Sequence, residues 1–178
     1  ILLIVPASLR KQWSQELQLV FPRSGRFDGL VGVYYADSDT ILDFHQTLPL
    51  LNTQPLNDVH SVQDEPAAAV FGQATARFAA GWSVTAGVRA SWEEHRILMS
   101  GTGVQDGPTP YAGKIDTDEL SWRLDLQHFV NEDAMIYAGV STGFKSGGFV
   151  PTTRSNGAAD SYGPEYLKAY EAGGKTQW

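Results

Sequence analysis

Hydrophobic and polar residues alternate with a period of two over much of the chain, most cleanly from Trp82 to Glu93. Trp82, Val84, Ala86, Val88, Ala90 and Trp92 fall on one face of an extended strand, and Ser83, Thr85, Gly87, Arg89, Ser91 and Glu93 on the other. A helix, with its 3.6-residue period, would mix the two sets. The same alternation runs through Lys11 to Phe21, where Trp13, Leu17, Leu19 and Phe21 oppose Ser14, Glu16, Gln18 and Val20. It recurs in Ala69 to Phe78, and again where Leu120, Trp122, Leu124 and Leu126 oppose Ser121, Arg123, Asp125 and Gln127. Weaker strands are predicted over Phe27 to Ala36, Met135 to Gly143 and about Tyr166 to Trp178, which makes about seven in all.

The connections alternate in length. Short links fall near Arg23 to Arg26, Ala79 to Gly81 and Asn131 to Asp133, and long loops are predicted over Asp37 to Pro66, Arg96 to Asp118 and Lys145 to Pro164. Tight turns at one end and long loops at the other are the arrangement of an up-and-down transmembrane β-barrel, and a soluble sandwich has no reason to keep that order. Pro22, Pro66 and Pro164 are read as strand ends, where a missing ladder donor does least harm. Ten residue steps separate Trp82 from Trp92. At about 3.3 Å per residue and a tilt near 40° they cover roughly 25 Å along a membrane normal, the height of a barrel's apolar band. Two tryptophans on one face also suit a soluble core, so a soluble β-sheet domain stays open as an alternative.

Composition narrows the field further. Thirteen Lys plus Arg against 20 Asp plus Glu give a formal charge of −7, which argues against a nucleic-acid partner. With no cysteine there is neither a disulfide framework nor a thiolate metal site. No apolar run approaches the length of a transmembrane helix, and the aliphatic stretch Ile1 to Val5 carries no recognisable signal peptide.

Candidate chemistry is sparse. His45 and His60, fifteen residues apart in a predicted loop, are read as solvated residues rather than ligands for iron or a porphyrin. Glu93-Glu94 is read as a wet rim at a strand end. Arg89, Arg123, Asp125 and Gln127 are expected to line a polar interior. Gly174-Lys175-Thr176 superficially offers a phosphate loop, but Ala169 stands where its first glycine is needed, so it is read as a strand ending. No catalytic, metal-binding or cofactor-binding residue is expected.

Four segments carry a family likeness. Gly143-Phe144-Lys145-Ser146-Gly147-Gly148-Phe149 follows Ile136-Tyr137-Ala138; Pro164-Glu165 is followed by Tyr170-Glu171 and Gly174-Lys175; Ser14-Gln15-Glu16-Leu17 leads through Gly25-Arg26-Phe27 to Val31-Gly32-Val33-Tyr34-Tyr35; and Phe71-Gly72-Gln73 precedes Thr85-Ala86-Gly87-Val88-Arg89. In this order they resemble the barrel of TonB-dependent outer-membrane receptors over roughly Trp13 to Trp178. The resemblance implies a closed barrel of about 22 strands, an N-terminal plug, and a location in the outer membrane of a Gram-negative bacterium. It also implies TonB-driven import of scarce nutrients of the siderophore, cobalamin or glycan class, captured by extracellular loops. The implied partners are outer-membrane lipid, a small-molecule ligand at those loops, and the TonB complex through an N-terminal region not seen here; a passive porin-type channel is the nearest alternative. About seven strands cannot close a barrel whose edges must all be paired, so the chain is expected to be an incomplete wall, inactive alone.

Residues 1–12 fit that pattern least. Ile1 to Val5, Pro6-Ala7-Ser8 and Leu9 to Leu17 resemble the strand, turn and helix of a superfamily 2 helicase. Ser8 would cap a short helix whose Leu9, Trp13 and Leu17 form one stripe. This segment is read as a junction or an unrelated piece, with a helicase-like ATPase remnant as a further alternative, and residues 13–178 as the partial barrel.

Overall fold

The computed structural model describes residues 2–4, 8–47, 55–78, 81–103, 111–155 and 158–176. Among them every regular element is a strand: β1 (Leu2–Ile4), β2 (Ser8–Ser24), β3 (Phe27–Thr47), β4 (Pro55–Asp64), β5 (Ala67–Arg77), β6 (Trp82–Gly103), β7 (Tyr111–Phe129), β8 (Ala134–Lys145), β9 (Gly148–Ser155), β10 (Ala158–Tyr162) and β11 (Glu165–Thr176). All pairings are antiparallel, and β9 with β10 form a separate two-stranded sheet.

β4 and β5 act as one strand. β5 pairs with β3 from Phe27↔Ala76 to Ala36↔Ala67, and β4 continues the same register from Asp39↔Asp64 onward. Pro66 interrupts the ladder because it has no N–H to give. Its carbonyl nonetheless accepts from the Glu94 N–H at 3.0 Å, and the Glu65 N–H donates to the Ser38 carbonyl at 2.9 Å. Counted this way, the wall is β2, β3, β4 with β5, β6, β7, β8 and β11: seven strands, each beside its sequence neighbour, as the periodicity predicts. The strand length is what differs. Pro66 falls at the break between β4 and β5, whereas Pro22 lies inside β2, at a register shift between Phe21 and Ser24.

The structure corrects several other expectations. Ser8 to Leu17 is not a helix: it belongs to β2 and pairs with β3 from Ser8↔Ile41 onward. Much of each predicted long loop is folded as strand. The Asp37 to Pro66 segment is the paired extension of β3 and β4, Arg96 to Asp118 extends β6 and β7 as far as Met99↔Tyr111, and Lys145 to Pro164 holds the β9–β10 hairpin. Glu93 and Glu94 are therefore mid-strand in β6 and not at its end.

Alternation shows directly in the exposure of β7, whose even positions are more open than its odd ones over most of its length. What is unusual is which residues are open. Val88, Trp92, Leu120, Trp122, Leu124 and Leu126 are all exposed, and so are Val31, Val33, Tyr35, Val70 and Ile136. The registers place these side chains on one face of the sheet. A face this large and apolar is not left to water in a soluble monomer.

The buried core lies elsewhere. Val59, Ile97, Met99, Phe149 and Ala159 form it, flanked by Phe44, Tyr111 and Ile115. The β9–β10 hairpin is thus packed across the distal ends of β4, β6 and β7, on the opposite face from the tryptophans.

Two short turns use glycine in the left-handed region. Gly81 has φ +76°, and a Cβ there would lie 2.7 Å from the Phe129 carbonyl oxygen; Gly25 has φ +59° with open space around it. Gly81→Ala is expected to cost about 1–3 kcal/mol, from strain plus collision, whereas Gly25→Asn should be tolerated because asparagine visits this region readily. Denaturant midpoints check this, and equal shifts for the two variants would contradict it.

Candidate functional site

The face opposite the tryptophans is built from the polar half of the alternation. At its centre the Arg89 guanidinium lies 5.1 Å from the Tyr34 ring centroid and 5.6 Å from that of Phe71, and its Nε donates to Ser91 Oγ at 3.1 Å. Arg123 ion-pairs with Asp125 at 2.7 Å. Its stem passes Gly87, where an added Cβ would come within 3.1 Å of Arg123 Cγ. Gly87 therefore provides the room the arginine needs. A concavity of about 390 Å³ opens here, bordered by Leu30, Phe71, Gln73, Arg89, Ser121 and Arg123. Towards the short turns, Arg77 pairs with Asp28, and Thr75 and Thr85 share a hydroxyl hydrogen bond at 2.9 Å. Such a surface offers paired arginines and neutral donors to an anionic or polar partner.

The glycine-rich segment after β8 anchors the distal hairpin. Gly143, Phe144 and Lys145 end β8, and Phe144 and Lys145 face Tyr166 and Glu165 of β11. The Lys145 ammonium lies 5.9 Å from the Tyr162 ring centroid. Ser146 Oγ donates to Glu93 Oε2, crossing from the hairpin to the wall. Gly147 and Gly148 are buried against Tyr162, where added Cβ atoms would meet its carbonyl at 2.6 Å and its hydroxyl at 2.7 Å. Phe149 fills the core beside Gly113. Pro164 precedes β11, Tyr170 faces Val140, and Glu171 accepts a hydrogen bond from the Tyr137 hydroxyl at 3.0 Å. Gly174, Lys175 and Thr176 are strand residues of β11 paired with β8, with no helix for a phosphate loop to open.

Charged groups cluster beyond Trp92. His95 Nδ1 lies 3.2 Å from Glu65 Oε1. That hydrogen bond raises the His95 pKa above 6.5 against the opposing effect of burial, with further help from the charges of Glu65 and Glu93. A raised folded-state pKa contributes stability that is complete below the unfolded value and is lost as pH rises through the folded one. The imidazole should therefore titrate above 6.5 by NMR and fall back in Glu65→Gln; an unchanged titration would remove the pair from the account.

On the other face Glu94 bridges Arg96 and Lys114, which also reach Asp64 and Asp116. Among the described residues Asp37, Asp39 and Asp64 bring carboxylate oxygens within 4.8 Å of one another. His45 and His60 are not in a loop: they stand on β3 and β4, opposite Asp58 and Asp43. Sequence reasoning had no access to the Arg89 cradle or to these cross-strand pairs, because both depend on register between strands far apart in the chain.

A sheet of this topology, with long apolar residues open on one face and arginine pairs on the other, has the build of a transmembrane β-barrel wall. Over residues 7–178 the chain matches the family described as TonB dependent receptor-like, beta-barrel, and it belongs to that family. The crystal structure of the ferric yersiniabactin uptake receptor FyuA from Yersinia pestis is similar, with a TM-score of 0.84 at 20% identity over 94% of this chain. The chain spans 26% of that receptor's length. TonB-dependent receptors are outer-membrane transport proteins of Gram-negative bacteria that bind a ligand and engage TonB; they are not enzymes.

Proposed function

We propose that this chain is one sector of the wall of a TonB-dependent importer that takes up a scarce nutrient of the siderophore, cobalamin or glycan class, and that the sector does not transport on its own. The observation that carries the reading is the open apolar face. Trp82, Val88, Trp92, Leu120, Trp122, Leu124 and Leu126 are all exposed, and the Trp82 to Trp92 stretch has the height of a bilayer's apolar core. The polar face then points into the lumen, and the distal hairpins, including β9–β10, stand on the extracellular side as ligand-facing parts. Within the substrate range, the fold shared with a ferric yersiniabactin uptake receptor favours a ferric siderophore. Among the described residues the seven strands leave two unpaired edges, so the sector needs further strands to close around a lumen.

Two measurements on cells that make the protein test this. Fractionation should place it in the outer membrane; recovery in the soluble fraction overturns the membrane reading. Deleting its gene should slow growth on ferric siderophores and spare growth on free iron, with a comparable loss on removing TonB. Uptake that persists without TonB would favour a passive channel instead.

A further inference from the structure

We propose that His45 and His60, each backed by a carboxylate on the opposite strand, form a two-imidazole site for a divalent transition metal of the zinc, nickel or copper class on the β3–β4 hairpin. The register puts His45 opposite Asp58 and His60 opposite Asp43, two steps apart. All four side chains therefore share a face, the one that carries Tyr35 and Trp92. They form a square in which each histidine has an aspartate as its cross-strand partner and the other histidine on its diagonal.

The chemistry of the square is that of a ligand pair with its outer supports in place. His45 Nδ1 lies 2.8 Å from Asp58 Oδ1, and His60 Nδ1 lies 2.5 Å from Asp43 Oδ1. A carboxylate that accepts from Nδ1–H fixes the tautomer and leaves the Nε2 lone pair available, the arrangement found behind metal-bound histidines in general. Both imidazoles are about half exposed, at 49% and 50%, so neither ring is sealed from an arriving ion. Diagonal cross-strand neighbours lie about 7–8 Å apart, within reach of long side chains, and metal–nitrogen bonds near 2.0–2.1 Å would draw the rings toward one ion. Water or a free aspartate oxygen completes the coordination. Imidazole donors select zinc, copper or nickel over calcium and magnesium, which prefer oxygen.

The position keeps the site clear of lipid. Asp43 is eight residues beyond Tyr35 on β3, roughly 20 Å further along the membrane normal at barrel tilt. A bound ion would bridge β3 and β4 near the end of their shared ladder. The site does not depend on which nutrient is imported.

The test is calorimetric titration of the purified, tag-free protein in detergent with zinc, nickel and copper salts. One ion per chain is expected, and His45→Gln and His60→Gln should each weaken it at least tenfold. Asp43→Asn and Asp58→Asn should weaken it about 10-fold to 100-fold, the usual effect of losing such a support, while His128→Gln should change nothing. Copper bound to the protein should show two nitrogen ligands by electron paramagnetic resonance. Circular dichroism confirms that each variant keeps its β signal. Unchanged affinity in the His45→Gln, His60→Gln double variant, or a spectrum with at most one nitrogen, overturns the proposal.

Discussion

Val88→Arg should cost about 2–4 kcal/mol of folding free energy in lipid vesicles, a shift of roughly 30-fold to 1,000-fold in the folding equilibrium. Val88 is half exposed and sits near the middle of the stretch from Trp82 to Trp92, paired with Trp122 on one side and Gly72 on the other. In a bilayer that position is the midplane, where a guanidinium has no water and no partner. Leu98→Arg provides the depth control. Leu98 is 53% exposed on the same face but lies six residues past Trp92, where the cost should fall to about 0–1 kcal/mol. Urea unfolding from vesicles checks both. If the sheet instead faced water, both arginines would land on a solvated surface and change stability by about 0.5 kcal/mol at most. Equal, small effects at Val88 and Leu98 would therefore sink the barrel reading.

Phe149→Ala should act on a different part of the molecule. Phe149 is 7% exposed and joins β9 to Val59, Ile97 and Met99 of the wall extension. Truncating a buried phenylalanine costs about 3–5 kcal/mol, enough to shift the hairpin's opening equilibrium by two or more orders of magnitude. The wall beneath is held by its own long ladders, so the loss should stay local. Limited proteolysis in detergent should show cleavage within residues 148–162 while the β signal persists. Gly113→Val should do the same from the other side, since an added Cβ meets the Phe149 ring at 2.8 Å. A global loss of β structure in Phe149→Ala would mean instead that the hairpin supports the wall.

How much of this was legible in the sequence follows from where each segment sits. Within Trp82 to Trp92 one face must be apolar and the other polar, so the period of two is written plainly. Beyond the apolar band both faces meet water, and nothing enforces alternation. β3 there reads Asp39, Thr40, Ile41, Leu42, Asp43, Phe44, His45, a strand that resembles a loop. Ion pairs between strands replace hydrophobic contrast as the signal, and they are visible only once the register is known. The helix expected at Leu9, Trp13 and Leu17 failed for a related reason. A spacing of four fits a helical stripe, yet four is also an even number and suits a strand equally well; all three residues belong to β2. Pro66 does stand at a strand end, the break between β4 and β5, but the register runs on across it, so the pairing with β3 does not stop there. The polar lining by Arg89, Arg123 and Asp125 could be inferred from parity alone; the Tyr34 and Phe71 rings around Arg89 could not.

The ladders of the wall are unequal in one place. β6 and β7 share eighteen register pairs and β8 and β11 share twelve, but β7 and β8 share only seven, from Arg123↔Ser141 to Phe129↔Met135. Above them the Thr142 hydroxyl takes the hydrogen bond of the Trp122 N–H at 3.0 Å, and Tyr166 of β11 reaches past β8 to Glu119 at 2.5 Å. Under tension a sheet parts where the fewest bonds share the load. Pulled apart edge from edge, this wall should tear between β7 and β8, releasing β8 and β11 as a two-stranded strip and leaving β2 through β7 behind.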